Sequence, residues 1–415
     1  MAKAFTVSCP NCGAGLQTDP RNTLTHQVSC QYCGTLVTMV PAAARKRTAL
    51  GVPPVPTGPN VVLLDKPEVP KGQAVGFAIT IGLAALLPMV IGLFAVVANS
   101  GIFSELNSRF NPNLFPLECE TGREVVIRKR NETRTDAFVF ASTACTIRIV
   151  DSKLSGPYIV KEGTGVKIIV ENSELRVSKA VFQGGNNSRI ELRKGSKVYE
   201  DDAVFDGAQH SKLTIVGSVV ESKGSIFKSE SFGEVNLKEK SRLKAAKHVL
   251  AGANSKLTVD NSEVVLGSSL VREGTDYFTV DASNGSTIQS EAIAIVGGSY
   301  GTVRLSDSKL TGMTGAVDMG RGTVSLLEGA TISSRQDAVR MGDYGKVEVG
   351  QKARIESGAV AIRVGGHSDV SINGGMIKGI KAAIMADDYT TVRLRRATVT
   401  GVKDIKGRYS KVIED

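Results

Sequence analysis

The chain has 415 residues, of which 41% are hydrophobic and 22% charged, so it is no disordered polymer and is long enough for two or three folded units. The net charge is +10, but the excess is spread thinly along the chain, which describes a solvated surface and not a nucleic-acid footprint. Tryptophan is absent and aromatics make only 5%, which weakens any expectation of sugar stacking, while 44 glycines suit a fold with many tight turns.

Residues 1–40 carry the sharpest chemical motif. Cys9-Pro10-Asn11-Cys12-Gly13 is matched by Cys30-Gln31-Tyr32-Cys33-Gly34, with 17 residues between the two pairs. Four thiolates in two C-x-x-C hooks suit tetrahedral Zn²⁺, so Cys9, Cys12, Cys30 and Cys33 are the expected ligands of a structural site. A redox pair or two disulfides are the alternatives. The segment resembles a zinc ribbon, lined by Val7, Leu16, Val28, Leu36 and Val37. So small a unit cannot build a sufficient core unaided, which makes metal binding inseparable from its folding. His26 lies between the hooks and reads as a surface residue, because four cysteines already close the site. The module is not basic, so nucleic acid is not an expected partner.

Residues 41–73 read as a proline-rich linker. Pro41, Pro53, Pro54, Pro56, Pro59, Pro67 and Pro70 oppose regular structure and favour an extended spacer. Arg45-Lys46-Arg47 suits either anionic lipid headgroups or bulk water.

Residues 74–98, AVGFAITIGLAALLPMVIGLFAVVA, carry no charge over 25 positions. That length crosses roughly 30 Å of hydrocarbon as a helix, with Pro88 a tolerated kink. A lipid bilayer is therefore an expected partner. Ala78-x-x-x-Gly82 is a spacing that lets two helices approach, so a homo-oligomer is compatible with it. Basic residues flank the N-terminal side (Arg45, Lys46, Arg47, Lys66, Lys71), which predicts a cytoplasmic N-terminus and an extracytoplasmic C-terminal region. In a Gram-negative bacterium that region would be periplasmic.

Residues 99–117, with Phe103, Leu106, Phe110, Leu114 and Phe115, read as a juxtamembrane cap. Cys119 and Cys145 lie on the outer side, 26 residues apart. That separation is about one repeat of the pattern described next, so a disulfide between neighbouring rungs and a pair of buried free thiols are both open.

Over residues 118–415 one pattern recurs at roughly 21–24 residues: Arg189-Ile190-Glu191-Leu192, Lys212-Leu213-Thr214-Ile215, Thr302-Val303-Arg304-Leu305, Lys346-Val347-Glu348-Val349 and Thr391-Val392-Arg393-Leu394. Polar and apolar residues alternate in each copy, as in a strand with one buried face. Turn residues precede the copies (Asn187-Ser188, His210-Ser211, Tyr344-Gly345), and two shorter apolar strands follow within each repeat. A fixed period with fixed turn positions is the mark of a solenoid. One rung alone cannot bury enough surface to order itself, so rungs must stack.

Three short strands per turn resemble the right-handed parallel β-helix, the pectate-lyase-like coil. The resemblance rests on period and pattern, with no catalytic motif. It implies a mainly β fold of about twelve rungs, preceded by one transmembrane helix and the ribbon, with Lys403–Arg408 as a polar closing turn.

Two functional readings follow. In one, the protein is a non-catalytic, single-pass membrane protein that presents the rod to a protein or polysaccharide partner. In the other, the rod binds or degrades polysaccharide, with Asp201, Asp202, Asp206, Asp387, Asp388, Arg393 and Arg395 as candidates. Their spacing matches no known constellation, and paired Asp often serve as turn residues. The first reading is preferred.

Overall fold

A computed structural model describes residues 116–415, except 208, 229–231 and 406, together with the backbone of five short strands that precede them. The chain divides after Gly58 into two units. The first holds two antiparallel pairings, Thr6–Ser8 with Gly15–Gln17 and His26–Ser29 with Leu36–Met39. In sequence, the connection of each pair carries one C-x-x-C hook. The four ligand cysteines themselves lie outside the described residues, as do the expected span at 74–98 and the cap up to 115. No helix among the described residues is long and apolar enough to cross a membrane.

The second unit is a right-handed parallel β-solenoid of about thirteen turns. Its first sheet runs from Glu124–Arg128 through Thr146–Val150, Lys167–Glu171 and their successors to Lys411–Glu414, every neighbour parallel. The second sheet begins at Asn131–Thr133, which pairs with Lys153, Leu154 and Ser155, and the third at Leu117–Cys119, which pairs with Val139–Ala141. In the two earliest complete rungs, a single long strand passes through both, with a register shift between Gly156 and Tyr158. From Ile293–Gly297 onward the third sheet is a separate six-stranded layer.

The pleat explains the core. Alternate residues of each strand face inward, and in-register parallel pairing places like upon like. Ile147, Ile168, Ile190 and Leu213 stack as one fully buried column of the first sheet, and Leu154, Leu175, Val198 and Val220 as one of the second. At the third sheet Phe182, Phe205 and Phe227 are buried together, ring centroids 6.3 Å and 4.9 Å apart.

Serines fill the bends between the first and second sheets. Ser196 Oγ donates to the carbonyl of Arg193 at 2.6 Å and accepts the N–H of Ser173 from the rung before at 3.4 Å. Ser173 repeats the arrangement with Glu171 and Ser152. A hydroxyl is small enough for a buried bend, and it satisfies backbone groups that the sheets leave unpaired.

Two differences from the sequence reading stand out. Residues 403–408 do not close the rod: Lys403–Ile405 pairs with Ile384–Ala386, and Lys411–Glu414 then pairs with Thr391–Leu394, which adds a turn to the expected twelve. Polar side chains hid these strands, because backbone pairing is indifferent to what points outward. Upstream, Val61–Leu64 runs parallel to Glu124–Ile127 within the segment read as a linker. It occupies the proline-free stretch between Pro59 and Pro67, where every residue retains the N–H that a ladder needs.

Candidate functional site

The outer wall of the first sheet is largely satisfied by itself. Arg148 reaches Glu124 at 3.0 Å and Glu171 at 3.7 Å, Lys212 meets Glu234 at 2.8 Å, and Arg393 meets Asp369 at 2.6 Å. Outward residues that look irregular along the sequence are thus complementary across rungs.

The acidic candidates fall into two separate groups, and within the first Asp202 and Asp206 share one cation, Lys228. Asp201 pairs with Lys223 at 2.7 Å, Asp202 with Lys228, and Asp206 accepts from Gln183 at 3.2 Å. Asp388 accepts the N–H of Arg408 at 2.6 Å, as a turn residue does. The two groups lie about eight rungs apart, roughly 38 Å at one strand spacing per rung. Among the described residues no three His, Cys, Asp or Glu side chains form a group able to hold a metal ion. Cys119 and Cys145 are both buried, with Cα atoms 6.1 Å apart and their sulfurs joined.

A column of aromatic residues forms one corner, one or two residues before the strands of the first sheet that start at Thr279, Gly301, Gly345, Asp369, Thr391 and Lys411. Tyr277 stacks on Tyr300 at 5.0 Å, and Tyr344, His367, Tyr389 and Tyr409 follow in line at 5.1, 4.7 and 5.1 Å. The Arg321 guanidinium bridges toward the second group, 4.8 Å from the Tyr344 ring. Each of these tyrosines has positive φ, between 54° and 62°, and is about half exposed or more. Left-handed backbone costs a residue with a Cβ about 1–2 kcal/mol. Stacking returns about 0.5–1.5 kcal/mol per pair, which nearly offsets it. The signal was present in the sequence as aromatics recurring at the rung period.

The second feature is a groove at the bend between the second and third sheets, of about 630 Å³. Glu200 forms part of its floor and is 2% exposed. Ser222 donates to Glu200 Oε2 at 2.6 Å, and the N–H of Asp202 donates to Oε1. Burial pushes the Glu200 carboxyl up to about 7, reinforced by the charges of Asp202 and Asp201 and opposed by the two hydrogen bonds. Over the groove, Arg176 lies 4.8 Å from the Tyr199 ring and pairs with Glu174 at 2.6 Å. Arg134, Lys223 and Lys244 supply further cations along it, with Asp201 and Glu221 between them. Of the sequence candidates only Asp201 lines this groove; Glu200 was missed.

Fold and surface together define a parallel β-solenoid with an aromatic corner and a polar groove over Glu200. No protein-family model matches the chain, and no curated protein or solved structure does either.

Proposed function

We propose that this chain is a membrane-tethered scaffold, with a zinc ribbon on the cytoplasmic side and the solenoid presented outside as a rigid surface for a protein or polysaccharide partner. The observation that carries the reading is the aromatic corner: a straight, exposed row repeating at the rung spacing, beside a wall whose charges are already paired with one another. Such a row offers a partner apolar edges and hydroxyls without prior rearrangement. Photo-crosslinking from position 344 in intact membranes tests it. A discrete adduct that Tyr389→Asn and Tyr300→Asn together abolish is expected; no adduct from this face would overturn the reading.

The ribbon part rests on topology and donor chemistry. Two short antiparallel pairings, each connected in sequence through a C-x-x-C hook, are compatible with a ribbon in which four thiolates would meet. Cys9, Cys12, Cys30 and Cys33 would hold Zn²⁺, whose role is to knot a unit too small to fold alone.

The tether competes with one feature of the fold. A span at 74–98 would put Val61–Leu64 and Glu124–Ile127 on opposite sides of a bilayer, so their pairing could not persist there. The magnitudes favour the span. Pairing four residues gains about 1 kcal/mol per hydrogen bond but orders them at about 1–2 kcal/mol each, close to balance. Thirteen Val, Leu, Ile and Phe residues in 74–98 contribute together on the order of 4–8 kcal/mol toward insertion.

A second reading, binding or cleavage of polysaccharide, is favoured by the groove around Glu200, where a carboxyl that titrates near neutrality meets several cations.

A further inference from the structure

The aromatic corner carries a second order within its rung-by-rung repeat. Successive positions read Tyr300, Arg321, Tyr344, His367 and Tyr389, set in register by the strands that follow them. Tyrosine therefore returns at every second rung, with a different side chain between. His367 lies 5.1 Å from Tyr344 and 4.7 Å from Tyr389, so the two tyrosines stand about 10 Å apart. Two strand spacings give nearly the same, about 9.6 Å. Every side chain of this series can donate a hydrogen bond: the tyrosines through O–H, His367 through a ring N–H, Arg321 through its guanidinium. Stacking covers the ring faces, which leaves edges and polar tips to solvent.

A polyproline II segment matches both features. It turns once in three residues of about 3.1 Å each, so one face recurs roughly every 9.3 Å. The mismatch with two rungs is only a few tenths of an ångström per turn. Its carbonyls have no partner within the helix, and proline has no N–H, so it brings acceptors where the row brings donors. A β-strand repeats at about 6.8 Å and offers N–H groups as well, while an α-helix bonds both kinds of group internally.

Size and charge narrow the partner further. The tyrosines of the corner are about half exposed or more and together leave on the order of 500 Å² open. That falls short of the roughly 800 Å² per side of a stable interface between folded proteins, and it suits a short extended segment. Asp343 and Asp388 come directly before Tyr344 and Tyr389, both exposed, at the same two-rung interval. Arg321 and Arg408 bound them, one rung to either side. The acidic stretch is thus confined to the middle of the row and is complementary to one basic residue in the middle of a ligand.

We infer that the corner from Tyr300 to Tyr389 docks a proline-rich segment of a partner protein, extended along the rod as polyproline II, with prolines at every third position around one lysine or arginine. The inference deepens the scaffold reading and rests on it, in that the corner is the docking face. The chain itself carries Pro53, Pro56 and Pro59 at that spacing. They precede the span at 74–98 and lie, on the tethered reading, across the bilayer from the corner, so the occupant is a partner's segment.

The test is fluorescence anisotropy of labelled peptides on the full chain in nanodiscs. The probe has prolines at every third position around a central lysine. One control has the same composition with prolines at every second position, and another carries glutamate in place of the lysine. The probe should bind about tenfold more tightly than either. Tyr344→Asn and Tyr389→Asn should each weaken it about tenfold. Asn187 and Asn254 hold the same left-handed corner position in earlier rungs, at φ 61° and 57°, so these variants should fold normally. Tyr344→Phe, which removes only a donor, should weaken binding about fivefold. Absence of binding, equal binding of the spacing control, or full affinity in the asparagine variants overturns the inference. So does a neutral glucan hexasaccharide that binds this corner while the peptide does not. Binding that appears only after Pro53, Pro56 and Pro59 are changed to alanine would show the corner filled by the chain's own prolines, and overturns it too. A crosslinked adduct from position 344 beside a silent peptide would end this inference alone and leave the scaffold reading standing.

Discussion

The Ser222 hydroxyl donates to Oε2 of Glu200 at 2.6 Å, from one rung to the one before it. Together with the Asp202 N–H it holds a carboxyl in place inside a bend where the surroundings disfavour its charge.

That cost has a definite pH signature. The folded state raises the Glu200 pKa from 4.5 to about 7, so the folded protein holds this proton more tightly than the unfolded chain. Its contribution is most favourable below pH 4.5, declines as pH rises from there to about 7, and is constant above. The full swing is about 3 kcal/mol. Glu200→Ser should therefore raise stability at pH 8 and leave it nearly unchanged at pH 4. Denaturant titration at the two values reads the difference, and equal effects at both would contradict the assignment.

Phe205 lies between Phe182 and Phe227 with no exposed surface. Phe205→Ala removes the middle ring of a three-rung stack and should cost about 3–5 kcal/mol. Phe205→Leu should cost less than half of that. Calorimetric unfolding distinguishes this from a surface-like loss below 1 kcal/mol.

The joined sulfurs of Cys119 and Cys145 close a loop across the first rungs. Replacing both with serine should destabilise the N-terminal rungs by about 3 kcal/mol, from restored loop entropy. Hydrogen exchange should locate the loss near Val125, Ile127 and Ile147 and leave the rungs beyond Lys309 unaffected. Uniform exchange along the rod would argue that the bond does not hold this end.

Cys12→Ser removes one of four thiolates and should release zinc and unfold residues 1–40, leaving the solenoid intact. Zinc stoichiometry measured on purified protein should fall from one to near zero. An unchanged stoichiometry would end the ribbon assignment.

Much of the solenoid was legible, and the reason is physical. Ile168, Ile190 and Leu213 face inward in every rung, so burial forces an apolar alternation that composition cannot conceal. The aromatic corner was half legible: Tyr344-Gly345 read as a turn, but the stacking of Tyr344 on His367 depends on register, which no single repeat displays. Glu200 was hidden for the same reason. Beside Asp201 and Asp202 it looks like one more acid in a turn, and only alignment with Val177, Ser222 and Ala245 shows it occupying an inward position. Lys403–Ile405 was misread because a strand held by backbone bonds at a polar edge carries little side-chain pattern.

The central claim is that a bilayer separates the ribbon from the rod. Right-side-out membrane vesicles bearing either Arg340→Cys, on an outward position of the third sheet, or Thr48→Cys, in the proline-rich segment, are treated with a membrane-impermeant thiol reagent. The account predicts labelling of residue 340 in sealed vesicles and of residue 48 only after permeabilisation. Equal labelling of both in sealed vesicles would place them on one side, and the tethered scaffold would be contradicted.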